Sequence, residues 1–202
     1  MNIKSFALAL GLVSSAASLT ASAQTNVLDL TNPGSFGYTF YTFDVTATDP
    51  TTSISFLIRQ DPAFMRVDDV SFVDDTTTSG NLVANGGFET GTLASWNVIG
   101  DPALPFAGTV NNDAAHSGTY EYYNGTVGGV SGIEQDISTT VGDNYTLSFW
   151  LQNDGGTPSS VDAFVGAIPT SLGGETIAVL TPEPTTLALA AIGAVGLIRR
   201  RK

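Results

Sequence analysis

From Tyr38 to Thr48 the chain alternates, with Tyr38, Phe40, Thr42 and Asp44 on one side and Thr39, Tyr41, Phe43 and Val45 on the other. Such a period of two predicts a β-strand, and Asp49-Pro50 ends it. Ser53–Arg59 alternates in the same way, with Ile54, Phe56 and Ile58 in one phase, and Asp61-Pro62 breaks it. Met65–Val73 is a third strand. Further strands are predicted near Asn81–Ala84, Trp96–Ile99, Thr119–Tyr123, Ile133–Thr139, Tyr145–Gln152, Val161–Val165 and Thr176–Leu180. Roughly ten short strands between turn residues, with no helical period in the body, predict an all-β fold, an antiparallel β-sandwich or jelly roll.

Helical segments are expected only at the two ends. Lys4, the apolar run Phe6–Val13 and the small-residue site Ala21-Ser22-Ala23 form a secretory signal peptide over residues 1–23, cut after Ala23. At the other end, Pro182-Glu183-Pro184 precedes the apolar run Leu187–Ile198, and Arg199, Arg200, Arg201 and Lys202 follow. Those 12 apolar residues span ~18 Å as a helix, against a bilayer core of ~30 Å. The expected result is a short helix that anchors only transiently in the inner membrane, with its cations on the cytoplasmic side.

Charge sharpens the division. The formal net charge is −12, yet five of the seven cations lie in the terminal segments. Between Thr25 and Pro184 only Arg59 and Arg66 stand against all 19 acids. Such a body repels phosphate backbones, which excludes nucleic acid as a partner. The absence of cysteine excludes disulfides and thiolate metal sites. About 160 residues between the terminal signals suffice for one domain with a core.

The terminal arrangement, Pro-Glu-Pro, apolar run and basic stop, resembles the PEP-CTERM family of exported bacterial proteins. The resemblance implies export, recognition of the tail (residues 182–202) by a membrane protease of the exosortase type, and a Gram-negative cell-surface or exopolysaccharide matrix. In the body, Asn81–Trp96 (NLVANGGFETGTLASW), Ala115–Tyr123 (AHSGTYEYY) and Ile133–Leu151 resemble the opening and middle of jelly-roll, carbohydrate-binding-module-like domains of the galactose-binding superfamily. In that family an Asp-Asp-Val-Ser strand closes the domain. Here Val67-Asp68-Asp69-Val70-Ser71 comes before Asn81 instead. Two accounts are open. Residues 25–75 are a domain remnant beside an incomplete 81–180; or residues 25–180 form one circularly permuted domain, 25–75 supplying the closing strands. The second avoids unpaired strand edges and is the reading adopted.

The same resemblance implies a structural Ca²⁺ held by Glu89 and by Asp68 or Asp69, with backbone oxygens of Asn85, Gly87 and Gly91. Strand alternation lets only one of Asp68 and Asp69 aim at Glu89, and the alternative is that these carboxylates cap turns. For sugar stacking the candidates are Tyr122, Tyr123 and Trp96. Tyr122 and Tyr123 are strand neighbours, so one faces outward. Trp150 and Trp96 also have core packing as a reading, and His116, the single histidine, reads as a turn residue. The expected function is a non-catalytic exported surface or matrix protein that binds carbohydrate or exopolysaccharide weakly. A structural or adhesive matrix protein is the alternative, and a glycan hydrolase a distant one.

Overall fold

A computed structural model of the 202-residue chain describes residues 24–77, 80–172 and 175–177. The signal helix and the sorting tail fall outside the described residues. Among the described residues no helix is long and apolar enough to cross a membrane.

The strands are β1 (Thr25–Thr31), β2 (Phe36–Thr46), β3 (Thr51–Gln60), β4 (Met65–Asp74), β5 (Asn97–Gly100), β6 (Thr109–Asn111), β7 (Glu121–Asn124), β8 (Ser131–Ser138), β9 (Asn144–Asn153), β10 (Ser159–Val165), β11 (Ser171–Leu172) and β12 (Glu175–Thr176). Two five-stranded antiparallel sheets form a sandwich, in the orders β1-β10-β3-β8-β5 and β2-β9-β4-β7-β6. The first four strands pair only with strands from the second half. β3 lies between β10 and β8, and β4 lies between β9 and β7.

The alternating phases read from the sequence set the layers. Ile54, Phe56 and Ile58 of β3 face Leu147, Phe149 and Leu151 of β9 across the sandwich, all buried. The Phe56 and Phe149 rings meet edge-on at 4.8 Å. Full burial of each such side chain stabilises by roughly 1.5–3 kcal/mol. A second apolar cluster, Leu57, Ile99, Val130, Phe164 and Ile177, covers the outer face of the β3 sheet. It explains why β3 is buried on both faces.

Three predicted strands shift. Asn81–Ala84 is a turn, because the Asn81 side chain replaces a ladder. Its Oδ1 accepts from the Phe72 and Val83 N–H groups, and its Nδ2 donates to the Val70 carbonyl. The strand expected at Thr119 begins at Glu121, since the Thr119 and Tyr120 N–H groups are given to a carboxylate. Of Thr176–Leu180, only Thr176 lies in a described strand. β1, β6 and β11, too short or too irregular to read from alternation, are additions.

Candidate functional site

The site lies on the outer face of the β2-β9-β4-β7-β6 sheet. Leu151, Val67 and Tyr122 point into the core, so their strand neighbours point out. One outward row runs Phe40, Trp150, Asp68, and the next runs Gln152, Arg66, Tyr123, each member the cross-strand partner of the one before. Glu121 lies on the same outward face of β7 and pairs with Asn111 of β6.

A β-bulge shapes this face. Asp68 pairs with Trp150 and Ser71 with Ser148, so Asp69 and Val70 together oppose one residue of β9. Asp69 takes a left-handed φ of 50°, which breaks the alternation. Val70 turns into the core, and Asp68 and Asp69 both reach the 116–120 loop. Asp68 accepts N–H bonds from His116 at 2.8 Å, Ser117 at 3.2 Å and Asp69 at 2.7 Å. Asp69 accepts from the Ser117 hydroxyl at 2.6 Å and meets His116 Nδ1 at 2.7 Å. Glu89 accepts from the N–H groups of Thr119 at 2.9 Å and Tyr120 at 3.0 Å. The bulge thus lets both aspartate side chains reach one loop, where plain strand alternation would send them to opposite faces.

That loop places an imidazole on the aromatic row. His116 stacks on Trp150 at 3.8 Å between centroids, Tyr38 meets His116 edge-on at 5.2 Å, and Phe40 lies 5.2 Å from Trp150. Phe40 is 51% exposed. A second group of rings sits on the β7 side. Phe64 stacks on Tyr123 at 4.2 Å, the exposed Phe106 meets Phe64 edge-on, and the Arg66 guanidinium lies 4.9 Å over Tyr123.

Between the two groups lies a cluster of polar side chains. Arg66 donates through Nη1 to both oxygens of Asp154 at 2.9 Å. Its Nε sits 3.7 Å from Asp113 and 3.9 Å from the fully buried Glu121. Among the described residues the Tyr38 hydroxyl, Arg66 Nε and both Glu121 oxygens have no hydrogen-bond partner. Burial, and then Asp113, push the Glu121 carboxyl up to about 7, with Arg66 pulling against them. Burial likewise raises Asp68 to about 6 despite its three N–H donors, and raises the Tyr38 hydroxyl above the usual phenol range. Unpartnered buried donors and acceptors this close together match what a hydroxyl, which both donates and accepts, can satisfy.

The sequence-predicted sugar residues divide. Tyr123 is outward, as one of the pair had to be. Tyr122 is 1% exposed and Trp96 5% exposed. Trp96 stacks on Phe88 and donates its indole N–H to the Asn85 carbonyl. Both are core residues, which removes them as platforms. The rings that replace them are Phe40, Trp150 and Tyr38. Trp150 shares its strand phase with Thr146, Ser148 and Gln152, and that phase is the signal that could have found it.

Of the predicted calcium donors, Asn85, Asp68, Asp69 and Glu89 are already engaged in hydrogen bonds. The Asn85 carbonyl takes the N–H of Phe88 as well as that of Trp96, and its side chain is spent on Thr90, Thr92 and Ala94. Gly87 lies beside Asp69 and Glu89, and Gly91 lies under the Tyr120 ring. Asp68 and Glu89 each take three N–H contacts out of about four acceptor positions per carboxylate. Calcium needs about six to eight oxygens. Among the described residues no group of three or more His, Cys, Asp or Glu side chains converges on a metal position. The residues present fit calcium poorly.

Two recesses lie elsewhere. One of about 250 Å³ opens at the end of the sandwich near Ala47, Thr52 and Val165. The other, about 340 Å³, lies beside Asp29 and Asp162, register partners on neighbouring strands rather than carboxylates facing across a cleft.

The chain is a two-sheet antiparallel sandwich with rings and carboxylates on one outer face. Residues 80–167 match the family model for a carbohydrate binding domain, and residues 180–202 match the PEP-CTERM protein-sorting motif. The chain thus carries a segment similar to a carbohydrate binding domain, followed by a PEP-CTERM protein-sorting motif. No curated protein and no solved structure matches it.

Proposed function

We propose that the protein is a non-catalytic, exported surface or matrix protein whose β2-β9-β4-β7-β6 sheet binds carbohydrate on its outer face. The observation that carries this reading is the pair of ring groups on that face, with Tyr38, Arg66 and Glu121 between them holding buried polar atoms that lack a hydrogen-bond partner. Exposed rings such as Phe40 give the apolar contact that the C–H face of a sugar needs, and polar groups beside them fix its orientation. An exosortase-type protease is the proposed partner for the tail, with transient inner-membrane anchoring before it acts.

Residues 25–180 are read as one circularly permuted domain. In its support, the matched segment 80–167 lacks β3 and β4, which occupy central places in both sheets. Asp68, Asp69 and Glu89 are read as anchors of the 116–120 loop, a role their N–H contacts already fill, in place of a structural calcium ion.

A glycan array probed with the purified protein tests the main reading. Binding to at least one glycan is expected, together with a loss of tenfold or more, about 1.4 kcal/mol, in Phe40→Ala, whose exposure makes misfolding an unsuitable explanation. If no glycan binds, the host's own exopolysaccharide included, the structural or adhesive matrix role takes its place.

A further inference from the structure

We infer that the sugar face selects a glycan bearing free, protonated amines, such as a de-N-acetylated amino-sugar polymer, over neutral or acidic glycans. This rests on the proposed carbohydrate reading of the same face.

The charges around the rings are one-sided. Asp68, Asp69, Asp113, Glu121 and Asp154 surround the Trp150 and Tyr123 rows, and Arg66 is the cation among them. Its guanidinium is already held by Asp154 through two contacts of 2.9 Å. A uronate or sulfate would meet five carboxylates and a guanidinium that is already engaged. A neutral sugar would satisfy the unpartnered atoms but leave the charge as it is.

An ammonium supplies what the face lacks. It offers three N–H donors and no acceptor, and Asp113 and Asp154 present partly exposed side chains to receive them, 52% and 35% open to solvent. Beneath them Glu121 is wholly buried, with Arg66 Nε 3.9 Å away and neither oxygen within hydrogen-bond distance of a donor. A fully buried carboxylate without a hydrogen bond is costly unless a counter-charge comes near. Burial raises both the Glu121 and the Asp68 carboxyls, and at Glu121 the Arg66 guanidinium 3.9 Å away offsets only part of the rise. Phe40, 51% exposed, adds a ring face that attracts a cation as well as sugar C–H groups.

The test compares oligosaccharides of one β-1,4 backbone and one length against the purified full chain by titration calorimetry at pH 6 and physiological salt. The probes are glucosamine hexamer, its fully N-acetylated counterpart, an oligouronate and a lysine oligomer of equal charge. The expected result is glucosamine hexamer binding at least about tenfold tighter than the acetylated form, with the oligouronate silent. Asp113→Asn and Glu121→Gln should each narrow that ratio at least about threefold. Equal or tighter binding of the acetylated hexamer overturns the amine preference and leaves the carbohydrate reading intact. Lysine oligomer binding as tightly as the glucosamine hexamer reduces the effect to bulk charge and overturns it too. A ratio unmoved in both variants also overturns it, because the assigned carboxylates would then have no part. Silence of every probe overturns the inference, and only the wider glycan array decides whether the carbohydrate reading falls with it.

Discussion

The His116 imidazole lies nearly parallel to the Trp150 indole, 3.8 Å away and tilted by 17°. The contact is made by a loop residue reaching across the sheet, held by Asp69 through Nδ1 at 2.7 Å. One face of Trp150 is therefore already taken, and a ligand meets this row through Phe40 and the edge of the indole.

Removing the cover should expose the indole. His116→Ala is expected to raise acrylamide quenching of tryptophan fluorescence, with the core residue Trp96 supplying the unquenched remainder. The lost stack and hydrogen bond should lower stability by about 1–2 kcal/mol. A quenching constant equal to that of the unaltered protein would show that Trp150 is shielded by something other than His116.

Stability should fall as pH rises from about 4 to about 7. Asp68 is displaced from 3.8 to about 6 and Glu121 from 4.5 to about 7 by burial, and Asp162 from 3.8 to about 6 in the same way. The unfolded chain loses these protons first, so over this window the folded state holds more of them and is favoured by acid. The contribution is fully present below about pH 4 and gone above about pH 7. Asp74, displaced downward by Thr76 and Thr77, acts in the opposite sense. Thermal melts across this range should show a declining midpoint. Glu121→Gln should flatten the decline by about 1–2 kcal/mol, and a midpoint that climbs steadily to pH 7 would contradict the assignment.

Calcium should leave the melting temperature unchanged. An ion bound with the roughly 10⁻⁴ M affinity of extracellular sites would add ~2.7 kcal/mol at a hundredfold excess. The loop anchors described above are already engaged by N–H donors, so melts in EDTA and in about 10 mM calcium should superimpose. A clear upward shift with calcium would mean that the 116–120 loop opens to admit it.

Two glycines should resist replacement, for different reasons. Gly118 has φ +65° and a Cβ there would collide with the Glu89 carboxylate. Gly118→Ala should cost about 1–3 kcal/mol and loosen the 116–120 loop, seen as faster amide exchange at Thr119 and Tyr120. Gly132 faces Leu57 in the register of β8 and β3, where a Cβ would meet the Phe56 carbonyl. Gly132→Ala should instead lower the global melting temperature without a selective change in that loop. If the two variants exchange identically, the loop is not an independently held unit.

The strands of the sandwich were legible because each long one keeps a clean phase. β3, β4 and β9 show it most plainly, and their core residues follow from it. The site was less legible. Tyr122 and Tyr123 sit on a strand of four residues, too short for its phase to be fixed. Asp68 and Asp69 follow alternation until the bulge, and nothing local in Asp-Asp-Val-Ser announces an extra residue. Glu121 looks like any strand acid until the sheet places Arg66 and Asp113 beside it. Trp96 misled for another reason. Its indole N–H has a backbone partner in the turn, so a polar-tipped ring could be buried at little cost.

The strand order also bears on how the chain folds as it emerges amino end first. β1 through β4 have no partners among themselves; every ladder they join is completed by residues 97–165. The leading third of the chain must therefore wait, extended and sticky, until its counterparts have emerged, and closure then links segments far apart in sequence. Such assembly is slow and all-or-none.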